Sequence, residues 1–339
     1  MVEAAARSVI APIRRTAILP GVGPSLSELD AGIVRITMPL PWALDHVHCY
    51  AVPGASGWTL IDCGLGTHAT LGWWREALDQ LDGRPVERVV ITHYHPDHIG
   101  ASAELVELTG AAEVVQGRLD RRLAVEAWIE DDGGAFERYL ADHGMPAEMA
   151  AESANAESRT AVHPAEPTLL VAEGDTIELG GEPYRVLELP GHADGHIALL
   201  GLRSRRLFGG DVLLDEITPN VGRWPDTAVD PLGRYLETLG RLSGMAPSIV
   251  LPGHGPAITD AAARAGEIAG HHHQRLDDTA AALADGAETA YETAQLIWAD
   301  EPLGFHEQRF ALAEALAHIE RLERMGRAVE DEPDRWRAA

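Results

Sequence analysis

The chain contains no lysine and only two cysteines, Cys49 and Cys63, among its 339 residues. All 27 basic residues are arginine, against 53 Asp and Glu, and the formal net charge is −26. A surface that acidic repels a phosphate backbone on average and disfavours a general nucleic-acid binder. Two cysteines cannot build a disulfide framework, a cysteine zinc knuckle or an iron–sulfur cluster; they read as small residues of a buried sheet. No run approaches the roughly 18 apolar residues of a membrane span. Arg14 and Arg15 are not followed by an apolar segment of secretion-signal length, so a cytoplasmic location with no membrane partner is expected. No Gly-X-Ser-X-Gly elbow offers a serine nucleophile. What remains is 45% hydrophobic and 24% charged, the balance of a folded globular chain, and the length suggests about two domains.

Alternating stretches at 32–38, 48–52 and 58–62 read as strands, with Pro53-Gly54 as a turn between the last two. Leu71, Trp74, Leu78 and Leu81 predict a helix over 70–81, followed by a buried strand at 86–92 and a second helix at 99–108. Residues 118–160, broken at Gly133-Gly134 and Met145-Pro146, predict two inserted helices. Trp128, Phe136 and Tyr139 make that insertion either a lid or a covering helix pair. Strands resume at 169–171, 176–179, 184–189, 197–202, 206–208 and 248–251. From Ala261 the chain reads as helical to its end, without strands. Strand groups alternating with helices suit two stacked sheets covered by helices. The expected division is 1–265 for a catalytic domain and 266–339 for a helical unit. The stripe Leu312, Leu316, Ile319 and Leu322 packs that unit on the main domain or on another copy of the chain. The tract His271-His272-His273 reads first as a solvated helix face, with reach into the site or adventitious metal binding as the alternatives.

The chemistry concentrates in His93-Tyr94-His95-Pro96-Asp97-His98-Ile99-Gly100, directly after a strand. Residues two apart in an extended segment point the same way, so His93 and His95 can converge on one cation. Pro96 ends the extended run, and Asp97 and His98 sit near a helix start, displaced toward a second cation. His192 in Pro190-Gly191-His192, Asp211 in Gly209-Gly210-Asp211 and His254 in Pro252-Gly253-His254-Gly255 occupy comparable strand ends beside glycine. Such imidazoles and carboxylates, crowded together without a cation, would be desolvated and poorly paired. Seven ligands make two sites if one carboxylate is shared. Tyr94, Phe208, Arg223 and Trp224 lie beside these residues and are candidates for a substrate cleft.

In this order, His-X-His-X-Asp-His, Gly-His, Gly-Asp and Pro-Gly-His-Gly resemble the metallo-β-lactamase superfamily over about residues 30–260. The resemblance implies an α/β fold, the αββα four-layer sandwich, with a dinuclear site at one edge of the sheets. It makes His93, His95 and His192 ligands of a first metal, Asp97, His98 and His254 ligands of a second, and Asp211 the bridge. Asp62 matches an acid that orients the ligand loop. Family β-lactamases generally lack the bridging Asp, and flavodiiron oxidases carry Glu where His95 stands, so neither activity is expected. The pattern is that of glyoxalase-II-like thioesterases, lactonases and some nucleases. It implies two divalent ions per chain, zinc first with iron or manganese compatible. A metal-bridging hydroxide would cleave a thioester, ester or lactone bond of a small acyl substrate, with Asp97 and Asp211 as the catalytic acids. The alternatives are a metal-dependent endoribonuclease and a mono-iron enzyme of the sulfur-dioxygenase kind. The end of the chain, Ala317 to Val329, resembles the small winged-helix-like domain of β-lactamase-like protein 2 relatives. Assembly as a homo-oligomer is compatible with the sequence.

Overall fold

The computed structural model describes residues 7–8, 23–42, 44–129, 134–154, 161–225, 227–300 and 303–339. Its larger sheet has seven strands whose spatial order follows the chain: Ser25–Glu28, Val34–Pro39, His46–Pro53, Trp58–Ile61, Val86–Ile91, Glu113–Gly117 and Leu169–Val171. The first four pair antiparallel, and each later strand joins in parallel. Parallel neighbours need crossovers, and helices supply them. Helix α1 (His68–Gln80) crosses first, then α2 (Pro96–Ile99) with α3 (Ser102–Thr109). The third crossing carries α4 (Arg118–Trp128), α5 (Ala135–Asp142) and α6 (Ala147–Ala154). The second sheet runs Ile249–Pro252, Arg206–Gly210, Ile197–Gly201, Glu182–Glu188, Thr176–Leu179 in space. Its one parallel pair is bridged by α7 (Pro231–Met245), which starts on Pro231 with the Asp230 carboxylate accepting from Gly233 N–H.

Period-two burial sorts the strands into layers. Ile61, Val90, Val115, Val186, Leu199, Phe208 and Leu251 meet between the sheets. Their neighbours Leu60, Val89 and Ile91 turn outward to pack with Trp74 and Leu105, while Leu187, Ala198 and Leu200 pack under Tyr235 and Leu239 of α7. The result is the four-layer αββα sandwich. The chain ends in α8 (Ala261–Ala284), α9 (Ala290–Ile297) and α10 (Phe305–Arg324), then a hairpin of Ala328–Glu332 and Arg335–Ala338. The stripe Leu312, Leu316, Ile319 and Leu322 shares one core with Leu207 and Val250, so this unit rests on the outer face of the second sheet. No helix among the described residues is long and apolar enough to cross a membrane.

Several elements differ from the sequence expectation, each for a local reason. The helix expected at 99–108 breaks, because Gly100 and Ala101 turn their backbone to His163 and Gly64. The insertion holds three helices among its described residues. The terminal hairpin was not expected because its strands are mostly charged and exposed; Ala328 and Trp336 alone are buried in it. His272 is fully buried and not on a solvated face, whereas His273 is exposed.

Candidate metal centre

Every residue of the expected ligand set lies just beyond the carboxyl end of a strand. Val86–Ile91 runs into His93 and His95, Glu182–Glu188 into His192, Arg206–Gly210 into Asp211, and Ile249–Pro252 into His254. Pro96 occupies the first turn of α2 and lifts Asp97 and His98 over the same edge. Gly253 is required by close approach: a Cβ there would lie 2.3 Å from Asp211 Oδ1 and 2.7 Å from His98 Cε1.

The seven side chains converge. His93 Nε2 and His95 Nδ1 stand 3.1 Å apart, and both group with His192. Asp97, His98 and His254 form a second group, with His254 Nε2 3.3 Å from Asp97 Oδ2. Asp211 Oδ2 reaches both, at 3.6 Å from His192 Nε2, 3.4 Å from His98 Nε2 and 3.2 Å from His254 Nε2. Two nitrogens held at about 2.0–2.1 Å by a tetrahedral zinc stand about 3.3 Å apart, so these spacings suit ligands of shared cations.

Three of the five imidazoles are fixed from behind by carboxylate or carbonyl oxygens. Asp62 Oδ2 accepts from His98 Nδ1–H at 2.8 Å, and its other oxygen accepts from Thr92 N–H at 2.8 Å. Asn220 O accepts from His192 Nδ1–H at 2.8 Å, and His46 O accepts from His254 Nδ1–H at 2.6 Å. In all three the Nε2 lone pair is thereby aimed at the centre. Asp62 holds a left-handed backbone, φ 60°, which aspartate tolerates better than most residues. Asp120, on α4, accepts from Tyr94 N–H, and Trp128 Nε1–H donates to Tyr94 O, so the insertion grips the ligand loop from outside.

Buried atoms without a hydrogen-bond partner gather at this focus: His98 Nε2, His192 Nε2, His254 Nε2 and Asp211 Oδ1. Burial opposes the charge on His254, yet the carboxylates of Asp211 and Asp97 outweigh it and lift this imidazole to about 10. His98 is likewise raised, by Asp211, Asp62 and Asp97 against burial. Of themselves, then, the buried carboxylates draw protons onto two imidazoles; divalent cations satisfy the same carboxylates and leave the imidazoles neutral, the ligating form. His93 and His95 are pushed well down, first by burial and then by neighbouring imidazoles, and are ready as neutral donors. The residues fit a pair of divalent ions.

The expected cleft residues fare differently. Tyr94 places its ring 5.1 Å from that of His95. Phe208 does not line a cleft: it is 1% exposed, packed between Tyr50 and Tyr184 in the core between the sheets, because its strand position faces inward. Arg223 is spent on Glu320, 3.1 Å away, and on the carbonyls of Trp224 and Thr227. Trp224 packs tilted against Phe136 and Tyr139 and edge-on to Phe310, where the insertion, the loop after Asp211 and α10 meet. His46, His48, His196, Asp120 and Asn220 were missed. His196 Nε2 accepts from Asp211 N–H, and His48 is bonded to Gly255 O. His196 could have been found as the second histidine of His192-Ala193-Asp194-Gly195-His196; Asn220 carries no sequence signal.

This fold and this ligand set define a metal-dependent enzyme class, and comparison with known proteins identifies it. The model of the metallo-β-lactamase superfamily matches residues 42–254, and that of the metallo-β-lactamase-like C-terminal domain matches 276–337. The chain belongs to the metallo-β-lactamase superfamily. It is 31% identical over 305 residues to the probable metallo-hydrolase YqjP of Bacillus subtilis, covering 86% of this chain and 92% of that one. It is also 31% identical over 196 residues to the acyl-coenzyme A thioesterase MBLAC2 of Gallus gallus, covering 55% and 65%. The crystal structure of the metallo-β-lactamase family protein TTHA1429 from Thermus thermophilus matches with TM-score 0.82 at 34% identity, over 91% of this chain and 99% of that one. A β-lactamase domain protein from Burkholderia ambifaria matches with TM-score 0.82 at 28% identity, over 97% of each.

Proposed function

We propose that this chain is a hydrolase that uses two divalent cations, zinc first among them, to cleave a thioester, ester or lactone bond of a small acyl substrate. One observation carries the reading: three histidines on one side and Asp97, His98 and His254 on the other meet across Asp211 Oδ2. The thioesterase named among the relatives supports the thioester within that class. The charge of −26 favours it over an endoribonuclease.

His93, His95 and His192 would hold one cation, Asp97, His98 and His254 the other, and Asp211 both. When bound, the pair supplies a water whose pKa falls to about 7 and a Lewis acid for a carbonyl oxygen. The protein supplies the geometry. Asp62, Asn220 and the His46 carbonyl keep three imidazoles in one tautomer and one orientation. Asp97 accepts a hydrogen bond from the attacking water and holds its proton for the leaving thiol or alcohol. No side chain is required as a covalent nucleophile.

The test is one zinc-loaded preparation assayed on acyl-CoA esters, lactones and single-stranded RNA. Turnover of an acyl ester or lactone, abolished in a folded His95→Ala variant, is expected. Turnover of RNA alone, or undiminished hydrolysis by His95→Ala, overturns the reading.

A further inference from the structure

Away from that centre, one more cluster among the described residues has ligand spacing: His272 on α8 with Glu314 and His318 on α10. All three are buried, with 0%, 1% and 0% exposure. Glu314 and His318 are four apart on one helix and so share a face. One ligand atom from each lies within 4.8 Å of the others.

The pairing of these groups is that of ligands. His318 Nδ1–H donates to Glu314 O at 2.7 Å, which leaves Nε2 with a free lone pair. That Nε2 stands 3.3 Å from His272 Nδ1, about the edge of a zinc tetrahedron and close to the 3.1 Å between His93 and His95. Glu314 Oε2 accepts from Asn220 Nδ2–H at 3.0 Å, while Glu314 Oε1 is buried with no partner. A carboxylate anchored through one oxygen and an imidazole anchored through one nitrogen are what a bound metal uses. The competing counter-charge is Arg275, whose guanidinium is instead placed over the Trp298 ring at 4.6 Å and 3.8 Å from Asp278. A direct contact between the two imidazoles accounts for one nitrogen of each ring and leaves both His272 Nε2 and Glu314 Oε1 buried without a partner.

We propose that His272, Glu314 and His318 form a third cation site, taking a divalent ion of the zinc class and clamping α8 to α10. Two imidazoles and a carboxylate suit that ion, with the fourth tetrahedral position left to water. The site is separate from the seven-ligand centre, so the two assignments stand or fall apart.

The experiment counts zinc per full-length chain by elemental analysis after dialysis against buffer. In a chain disabled at the main centre by His93→Ala and Asp211→Ala, one tightly held equivalent is expected to remain. Cobalt in its place should give the visible absorption of a tetrahedral ion. Adding His318→Gln should remove that equivalent with the helical circular dichroism retained. Should His318→Gln fail to fold, Glu314→Gln carries the measurement, since its amide oxygen still accepts from Asn220; at least a tenfold loss of zinc affinity is expected. A folded, disabled chain that holds no zinc, or an equivalent that survives both substitutions, overturns the third site.

Discussion

Replacing Asp62 by Asn separates the tautomer of a ligand from the fold that carries it. The Asp62 carboxylate is 2% exposed and accepts from Thr92 N–H, from Thr92 Oγ1–H and from His98 Nδ1–H. Asn fills the same space and tolerates the left-handed backbone at φ 60°. Its amide, however, puts an N–H where one of those donors points, whichever way it is turned. With the N–H toward His98, the imidazole must accept at Nδ1 and carry its proton on Nε2, the nitrogen 3.4 Å from Asp211 Oδ2, and it then cannot bind a metal. Loss of a hydrogen bond behind a metal ligand costs about 10–100-fold in metal affinity, or about 1.4–2.7 kcal/mol. Asp62→Ala does more damage: three buried donors lose their acceptor at about 1–3 kcal/mol each, and alanine adds about 1–2 kcal/mol at the left-handed position. Zinc affinity measured by competition with a chelator, beside a denaturant melt, tests both. Asn should weaken zinc by at least tenfold with the melt nearly unchanged, and Ala should lower both. Wild-type zinc affinity in a folded Asp62→Asn chain would refute the argument that Asp62 works through the proton on His98.

Gly253→Ala should fold yet lose at least tenfold in metal affinity and hydrolysis, because its new methyl meets Asp211 Oδ1 at 2.3 Å; unchanged zinc binding in the purified variant contradicts that contact. Asp211→Ala should lose at least one metal equivalent, and elemental analysis showing wild-type stoichiometry contradicts the shared carboxylate. Burial, against the pull of Arg275 and Asn220, raises Glu314 to about 7 from the usual 4.5. The folded chain therefore holds that proton more tightly than the unfolded one. In the metal-free protein its stabilisation is fully present below about pH 4.5 and is lost as pH rises through about 7, at most about 3 kcal/mol. Denaturant melts of metal-free wild type and Glu314→Gln should diverge across that window, and parallel profiles would show that Glu314 does not titrate there.

The convergence of the candidate ligands was legible because metal coordination constrains residue type and spacing within a few positions: His93 to His98 announce themselves, and His192, Asp211 and His254 follow glycines at strand ends. The inter-sheet strands were legible for a similar reason, since a strand buried on both faces, such as Ile197–Gly201, is apolar throughout. What escaped depended on partners distant in the chain. The role of Asn220 is carried by its backbone carbonyl, and a carbonyl has no sequence signature. Phe208 was assigned to a cleft because it precedes Asp211 by three positions, but the alternation of its strand turns it into the core. The terminal hairpin buries only Ala328 and Trp336, too few apolar residues to give a period.

The C-terminal unit also shapes the centre without contributing an expected ligand to it. His192 is held by the Asn220 carbonyl, and the Asn220 side chain donates to Glu314 Oε2 and to Phe310 O on α10. Three residues on, Arg223 N–H donates to Ala313 O and its guanidinium meets Glu320. Asp230 closes the loop onto the same helix through Glu320 and Arg321. The loop after Asp211 is thus fastened along about three turns of α10, and its Asn220 carbonyl fixes the tautomer of His192. An error in the seating of α10 would reach His192 through two hydrogen bonds, whereas His93, His95 and His98 are held by the sheet and by α4. Damage to the C-terminal unit should therefore weaken the metal held with His192 before it weakens the one held with His98.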